Sequence, residues 1–114
     1  GTALSMAGYV PDEGDIIWLN FTPQSGHEQA GHRPAVVLSP AAYNRIGLLL
    51  CCPLTTISKG YPFEVLVAGE TESFALADQV KSLDWRSRGA KQKGRATYAE
   101  LSSIRAKARA LIGK

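Results

Sequence analysis

The stretch Ala35-Val-Val-Leu-Ser-Pro-Ala-Ala-Tyr-Asn-Arg-Ile-Gly-Leu-Leu-Leu-Cys-Cys-Pro-Leu54 decides the fold. It holds two short apolar runs, Ala35 to Leu38 and Leu48 to Leu54. Runs this short, without polar alternation, read as strands buried on both faces. Between them, Ser39 stands where serine caps a helix and Pro40 where proline suits the first helical position. One helical turn is therefore expected, ending near Gly47. Cys51 and Cys52 are adjacent, so on an extended strand their side chains leave opposite faces and do not readily bridge. They are expected to be packing residues, not nucleophiles. A disulfide scaffold and a multi-cysteine metal site are excluded, and a reducing cytoplasm fits best.

Working outward, Asp15-Ile-Ile-Trp-Leu-Asn-Phe21 is rich in β-branched and aromatic residues after the Gly14 break, and reads as a strand. The polar stretch from Thr22 to His32, with Pro23, Gly26 and Gly31, reads as an exposed loop. Beyond the decisive segment, residues 55–60 form a second polar loop. Phe63 to Val67 and Phe74 to Leu83 are expected to pair across a turn containing Gly69. Residues 86–95, RSRGAKQKGR, are too polar and glycine-broken for core. The period changes at Thr97-Tyr-Ala-Glu100, a capping box. Leu101, Ile104, Ala108, Leu111 and Ile112 then fall on one helical face, and Gly113 ends the helix.

Five or so short strands and one amphipathic helix make a mainly β fold with a C-terminal α-helix, a small barrel with the helix packed against it. One domain over residues 7–114 is expected. Residues 1–6 read as an expression scar, since GTALSM has neither the basic nor the apolar region of a signal peptide. The 114 residues have room for one hydrophobic core. No apolar run approaches the ~18 residues that cross a bilayer, so no membrane partner is expected. The net charge of +3 hides an asymmetry. Residues 1–80 carry three basic residues against eight acidic ones, and residues 81–114 carry ten against two. A basic segment of this kind attracts phosphate backbones or an acidic protein, or is simply a solvated face.

Polar residues gather in two places beside the decisive strands: His27 to Pro34 ahead of the first, and Pro53 to Gly60 after the second. Two histidines five apart, with no acidic cluster near, do not make a metal site, so no metal or other cofactor is expected. No G-x-S-x-G elbow and no phosphate-cradling glycine loop is present. The residue types that remain suit phosphodiester chemistry on RNA, whose own 2′-hydroxyl attacks the adjacent phosphorus once a base removes its proton. Glu28 is the candidate base. Arg33 offers a planar fork of donors for phosphoryl oxygens, and Thr55 a further hydrogen bond. Histidine is the side-chain type that exchanges protons near neutral pH, which makes His32 the candidate acid. An arginine guanidinium is a poor proton donor. Simple surface ion pairing of Glu28, His32 and Arg33 is the competing reading of the same residues.

Glu28-Gln-Ala-Gly-His-Arg-Pro-Ala-Val-Val-Leu-Ser39 resembles the signature of the MazF/PemK family of toxin ribonucleases. Gly14-Asp-Ile-Ile-Trp18, Pro53-Leu-Thr-Thr56, Lys59-Gly-Tyr-Pro-Phe-Glu-Val65 and Ala75-Leu-Ala-Asp-Gln-Val-Lys-Ser82 are similar to the same family, in the same order. The resemblance runs from about Tyr9 to Gly113. It implies an SH3-like β-barrel acting as a homodimer, with single-stranded RNA across the dimer surface. It implies cleavage to a 2′,3′-cyclic phosphate and a 5′-hydroxyl, at ACA triplets in some relatives and other short sequences elsewhere. The family's catalytic arginine and threonine fall on Arg33 and Thr55, and its loop glutamate on Glu28. The resemblance further implies inhibition by a MazE-like antitoxin with an acidic tail. Asn20, Phe21, Thr56, Lys59, Gln79 and Lys81 are the candidate RNA contacts, with Phe21 a candidate stacking platform for a base. Trp18, Gln29 and Arg33 are the candidate antitoxin contacts. Two alternatives stay open: a topoisomerase-poisoning toxin of the CcdB kind, and a noncatalytic SH3-like binding module. Neither requires Glu28, Arg33 and Thr55 together.

Overall fold

Adjacent residues of the central strands bury themselves in two different cores. In the computed structural model, which describes residues 8–21, 32–69 and 71–113, Ile16, Val36, Cys52 and Leu54 pack in one cluster. Ile17, Leu19, Ala35, Val37, Leu49 and Cys51 pack in the other. Alternate side chains of a strand leave opposite faces, so a sheet covered on both sides needs the unbroken apolar runs seen here. Burial pushes the thiols of Cys51 and Cys52 up to about 12, which suits packing and not nucleophilic attack.

Among the described residues, seven strands form the sheet: β1 (Asp15–Asn20), β2 (His32–Val37), β3 (Leu48–Thr55), β4 (Glu64–Val67), β5 (Ser73–Leu76), β6 (Lys81–Asp84) and β7 (Lys91–Arg95). The order is β4-β5-β3-β2-β1-β7, with β6 also paired to β3, and every pairing is antiparallel. The long strand β3 pairs with β6 over Leu48–Cys51, with β2 over Cys51–Pro53 and with β5 over Leu54–Thr55. One strand serving three partners curls the sheet into a half-barrel. The helices are α1 (Ala41–Asn44) and α2 (Tyr98–Ile112), and α2 closes one side with Leu101 and Ile104 in the first core.

The capping box forms as expected: Glu100 N–H donates to Thr97 Oγ1 at 3.1 Å, and Thr97 N–H to Glu100 Oε1 at 2.8 Å. Glu100 Oε2 also accepts from Ala68 N–H at 2.9 Å, tying the helix start to the end of β4. The helix face is shorter than its pattern. Leu101, Ile104 and Ala108 are buried, but Leu111 and Ile112 run past the sheet and are exposed.

Three further expectations are corrected. Ser39 does not cap α1: its hydroxyl is buried, donating to Asn44 Oδ1 and accepting from Leu50 N–H, and Ala41 N–H finds Asp12 Oδ1 instead. The expected strand over 74–83 is broken into β5 and β6 by a turn in which Gln79 N–H donates to Leu76 O. Leu48 and Leu50 are each 39% exposed, so that end of β3 is buried on one face only. Within the segment too polar for core, β7 buries none of its residues, as expected. It is a sheet edge paired to β1, and a strand with one neighbour needs no second apolar face.

Candidate active site

Strands β2 and β3 align Ala35 with Pro53 and Val37 with Cys51. The ladder ends at Ala35, and two residues further along each strand Arg33 and Thr55 both line one cleft. Arg33 is itself a strand residue, paired with Leu19 of β1, and not part of the preceding loop. Buried Leu19 and Ala35 beside it fix the backbone from which its guanidinium rises. A cleft of about 430 Å³ opens there, lined by Arg33, Thr55, Lys59, Tyr61, Glu64 and Gln79 among others.

The far wall of the cleft is organised by Glu64. Its carboxylate accepts from Ser58 Oγ at 2.7 Å and from Lys59 N–H at 3.0 Å, and Gly60 N–H donates to Ser58 Oγ at 3.1 Å. Gly60 turns the chain at φ +73°, in the left-handed region that glycine adopts without a Cβ clash. The bond from Ser58, reinforced by the Lys59 amide, holds the Glu64 carboxyl below the ordinary carboxylate range. From the helix side, Lys107 Nζ donates to the carbonyls of Pro62 and Glu64 at 2.6 and 3.1 Å. Tyr61 and Phe63 stack with centroids 5.2 Å apart. Opposite them, Thr55 Oγ1 accepts from Ile57 N–H at 3.2 Å, which leaves its hydroxyl proton to donate.

Four of the residues singled out from the sequence therefore meet in one cleft: Arg33, Thr55, Lys59 and Gln79. Thr56 is exposed beside Thr55 without lining it. His32 is exposed at the first position of β2, opposite Asn20, on the face away from Arg33. Phe21 packs against the second core with Lys81 Nζ 5.9 Å from its ring centre. Trp18 pairs with Pro34 and points to the sheet face opposite Arg33, 5.5 Å beneath Lys93 Nζ, where the β1–β7 ladder shifts register. Glu28 and Gln29 lie outside the described residues. The sequence reading missed Glu64 and Asp78, cleft residues that sit inside quoted motifs but carry no local signal of facing Arg33. Among the described residues, no three His, Cys, Asp or Glu side chains come together as metal ligands.

An arginine and a threonine in one cleft, with a lysine beside them, can hold a phosphodiester, and the matches with known proteins point the same way. A family model of PemK-like, MazF-like toxins of type II toxin-antitoxin systems matches residues 12–112. The chain belongs to the PemK/MazF toxin family. The endoribonuclease toxin MazF of Escherichia coli K12 is 61% identical over 107 residues, covering 92% of this chain and 96% of that protein. The endoribonuclease toxin ChpB of the same strain is 38% identical over 90 residues, covering 73% and 78%. A MazE-MazF crystal structure from Deinococcus radiodurans superposes with a TM-score of 0.85 at 54% identity, covering 92% of this chain and 97% of that one. The half-barrel with a C-terminal helix is thus the PemK/MazF fold, and the enzyme class legible in the sequence, endoribonuclease, is the class in which these PemK/MazF relatives are named.

Proposed function

We propose that this PemK/MazF chain is a metal-independent endoribonuclease that cuts single-stranded RNA at a short base sequence, leaving a 2′,3′-cyclic phosphate and a 5′-hydroxyl. The observation that carries this reading is the meeting of Arg33 and Thr55 in one cleft, beside Lys59 and Gln79. In the reaction the substrate's 2′-oxygen forms a bond to phosphorus while the bond from phosphorus to the 5′-oxygen breaks. Charge accumulates on the phosphoryl oxygens, where the Arg33 fork and the Thr55 hydroxyl donate to it. Glu28 takes the proton of the 2′-hydroxyl. The departing 5′-oxygen takes its proton from water, because His32 leaves β2 on the face away from Arg33. Lys59 adds positive charge along the strand's path, and the Phe21–Lys81 pair offers an aromatic face with a cation beside it.

The partners follow the same reading. Leu48 and Leu50 leave an apolar pair on the outer face of β3, which a second copy of the chain would cover in a homodimer. Related toxins have been solved as MazE-MazF complexes, and the basic residues of 81–114 suit an antitoxin with an acidic tail. Such a tail would reach Arg33 on the RNA side and Trp18 under Lys93 on the other face, with Gln29, outside the described residues, as a further contact. Two buried free cysteines suit a reducing cytoplasm, and no helix among the described residues is long and apolar enough to cross a membrane.

Arg33→Ala tests the mechanism. Turnover falls on the order of 10²-fold or more while RNA affinity changes little, because the guanidinium meets its full charge only in the transition state. Arg33→Lys recovers little of the loss, since an ammonium lacks the planar fork. Near-normal turnover of Arg33→Ala rules the mechanism out.

A further inference from the structure

Among the described residues β4 is an edge strand, paired only with β5. The carbonyl of Phe63 points to that side and accepts from Ala77 N–H at 3.2 Å. Carbonyls alternate in direction along an extended chain, so those of Pro62 and Glu64 point outward, where no strand supplies donors. Helix α2 supplies them through a side chain. Lys107 Nζ donates to both, at 2.6 and 3.1 Å. At the far end of β4, Glu100 Oε2 accepts from Ala68 N–H at 2.9 Å. Glu100 and Lys107 are seven residues apart, two helical turns, which matches within a residue the run from Glu64 to Ala68. The helix thus clamps the open edge of β4 at both ends. Water would satisfy the same carbonyls without fixing them. Lys107 fixes them to the core, because Ile104 and Ala108 on either side of it are buried. The Lys107 clamp also leads into the cleft. Glu64, gripped through its carbonyl, holds Ser58 and the Lys59 amide through its carboxylate. Lys59 lines the cleft and Lys107 does not.

We propose that Lys107 is a positioning residue for RNA engagement. From behind the cleft wall it fixes Pro62 and Glu64, and through the Glu64 carboxylate it holds Lys59 where that side chain meets the RNA backbone. It touches no part of the substrate. This rests on the RNA reading above for the role of Lys59.

The test measures binding of an RNA strand with a 2′-deoxy nucleotide at the cut, over a range of salt. One phosphate contact on a single strand contributes about 0.7 to the slope of log affinity against log salt. Lys107→Met, which keeps the stem and loses the donors, lowers the slope by about that amount and weakens binding roughly threefold or more, as Lys59→Ala does. The double variant binds no more weakly than Lys59→Ala alone. Lys107→Arg, which keeps charge and donors, restores the slope. Glu100→Gln loosens the other end of β4 and the helix cap, so it lowers stability and leaves the slope unchanged. Without RNA, hydrogen exchange at the Lys59 amide quickens in Lys107→Met and not in Glu100→Gln. Lys107→Gln, which keeps a donor, shows a partial effect and serves if Lys107→Met does not fold. Losses that add in the double variant, or Lys59 exchange unchanged in Lys107→Met, overturn the proposal. If Lys59→Ala leaves RNA binding untouched, the role given to Lys59 above is wrong and the proposal falls with it. If the coupling is present while the all-ribose strand is never cut, the cleavage reading fails and this one stands.

Discussion

Asn44 is fully buried and holds three segments together through its side chain. Its Oδ1 accepts from Ser39 Oγ at 2.6 Å, and its Nδ2 donates to Pro11 O at 2.7 Å and Ser39 O at 2.9 Å. Asn44→Ala removes all three bonds. At about 1 kcal/mol net for each, the loss is about 3 kcal/mol, rising to about 5 kcal/mol because the two carbonyls stay buried without donors. That is a large share of the roughly 5–15 kcal/mol that keeps a domain folded. The Trp85 Nε1–H bond to the backbone carbonyl of residue 44 survives, at 2.7 Å in the parent, so the loss stops short of the whole fold. Urea unfolding at one fixed protein concentration measures it. With a slope of about 1.5 kcal/mol per M, the midpoint drops by roughly 2–3 M. Fixing the concentration matters because the proposed homodimer would add to apparent stability. Thr55 lies at the other end of β3, so RNA cleavage well below the unfolding midpoint stays unchanged. A loss under about 1 kcal/mol would refute the claim that this network anchors the sheet.

The Glu64 carboxylate must be ionised to hold Ser58 and the Lys59 amide, and its folded acidity is strengthened. Loop order over 58–60 is therefore fully present above the ordinary glutamate range and lost as pH falls through the lowered folded value. The Lys59 amide resonance should move with that midpoint, and a midpoint at or above the ordinary range contradicts the bonding described. An acidic antitoxin tail and a noncleavable RNA should compete for one dimer, seen by sedimentation as twice the 12.2 kDa chain. Saturating tail that leaves RNA binding unchanged would place the inhibitory site elsewhere.

The elements legible in the sequence are those apolar along both faces or whose ends are signed. Ala35 to Leu38 and Leu48 to Leu54 could be read because both faces are apolar, and α2 because Thr97 and Glu100 mark its start. Lys91–Arg95 could not, since an edge strand keeps its polarity and is held by backbone bonds to β1. The break between β5 and β6 was hidden because Ala77 is buried within the turn and continues the apolar pattern. At the site, Arg33, Thr55, Lys59 and Gln79 were legible through motif resemblance. Glu64 and Asp78 were not, because facing Arg33 depends on pairings of β4 and β5 that no local pattern encodes. Trp18 and Arg33, both candidate antitoxin contacts, leave opposite faces of the sheet by strand alternation, which a residue list does not reveal.

The most direct measurement is cleavage of one single-stranded RNA by the pure protein in excess EDTA, beside the same strand carrying a 2′-deoxy nucleotide at the cut. The all-ribose strand should be cut at its usual rate with a 5′-hydroxyl on the downstream product, and the substituted strand should bind but remain whole. Loss of cutting in EDTA with recovery on adding a divalent cation, or comparable cutting of an all-DNA strand, would contradict a metal-independent attack by the substrate's own 2′-oxygen.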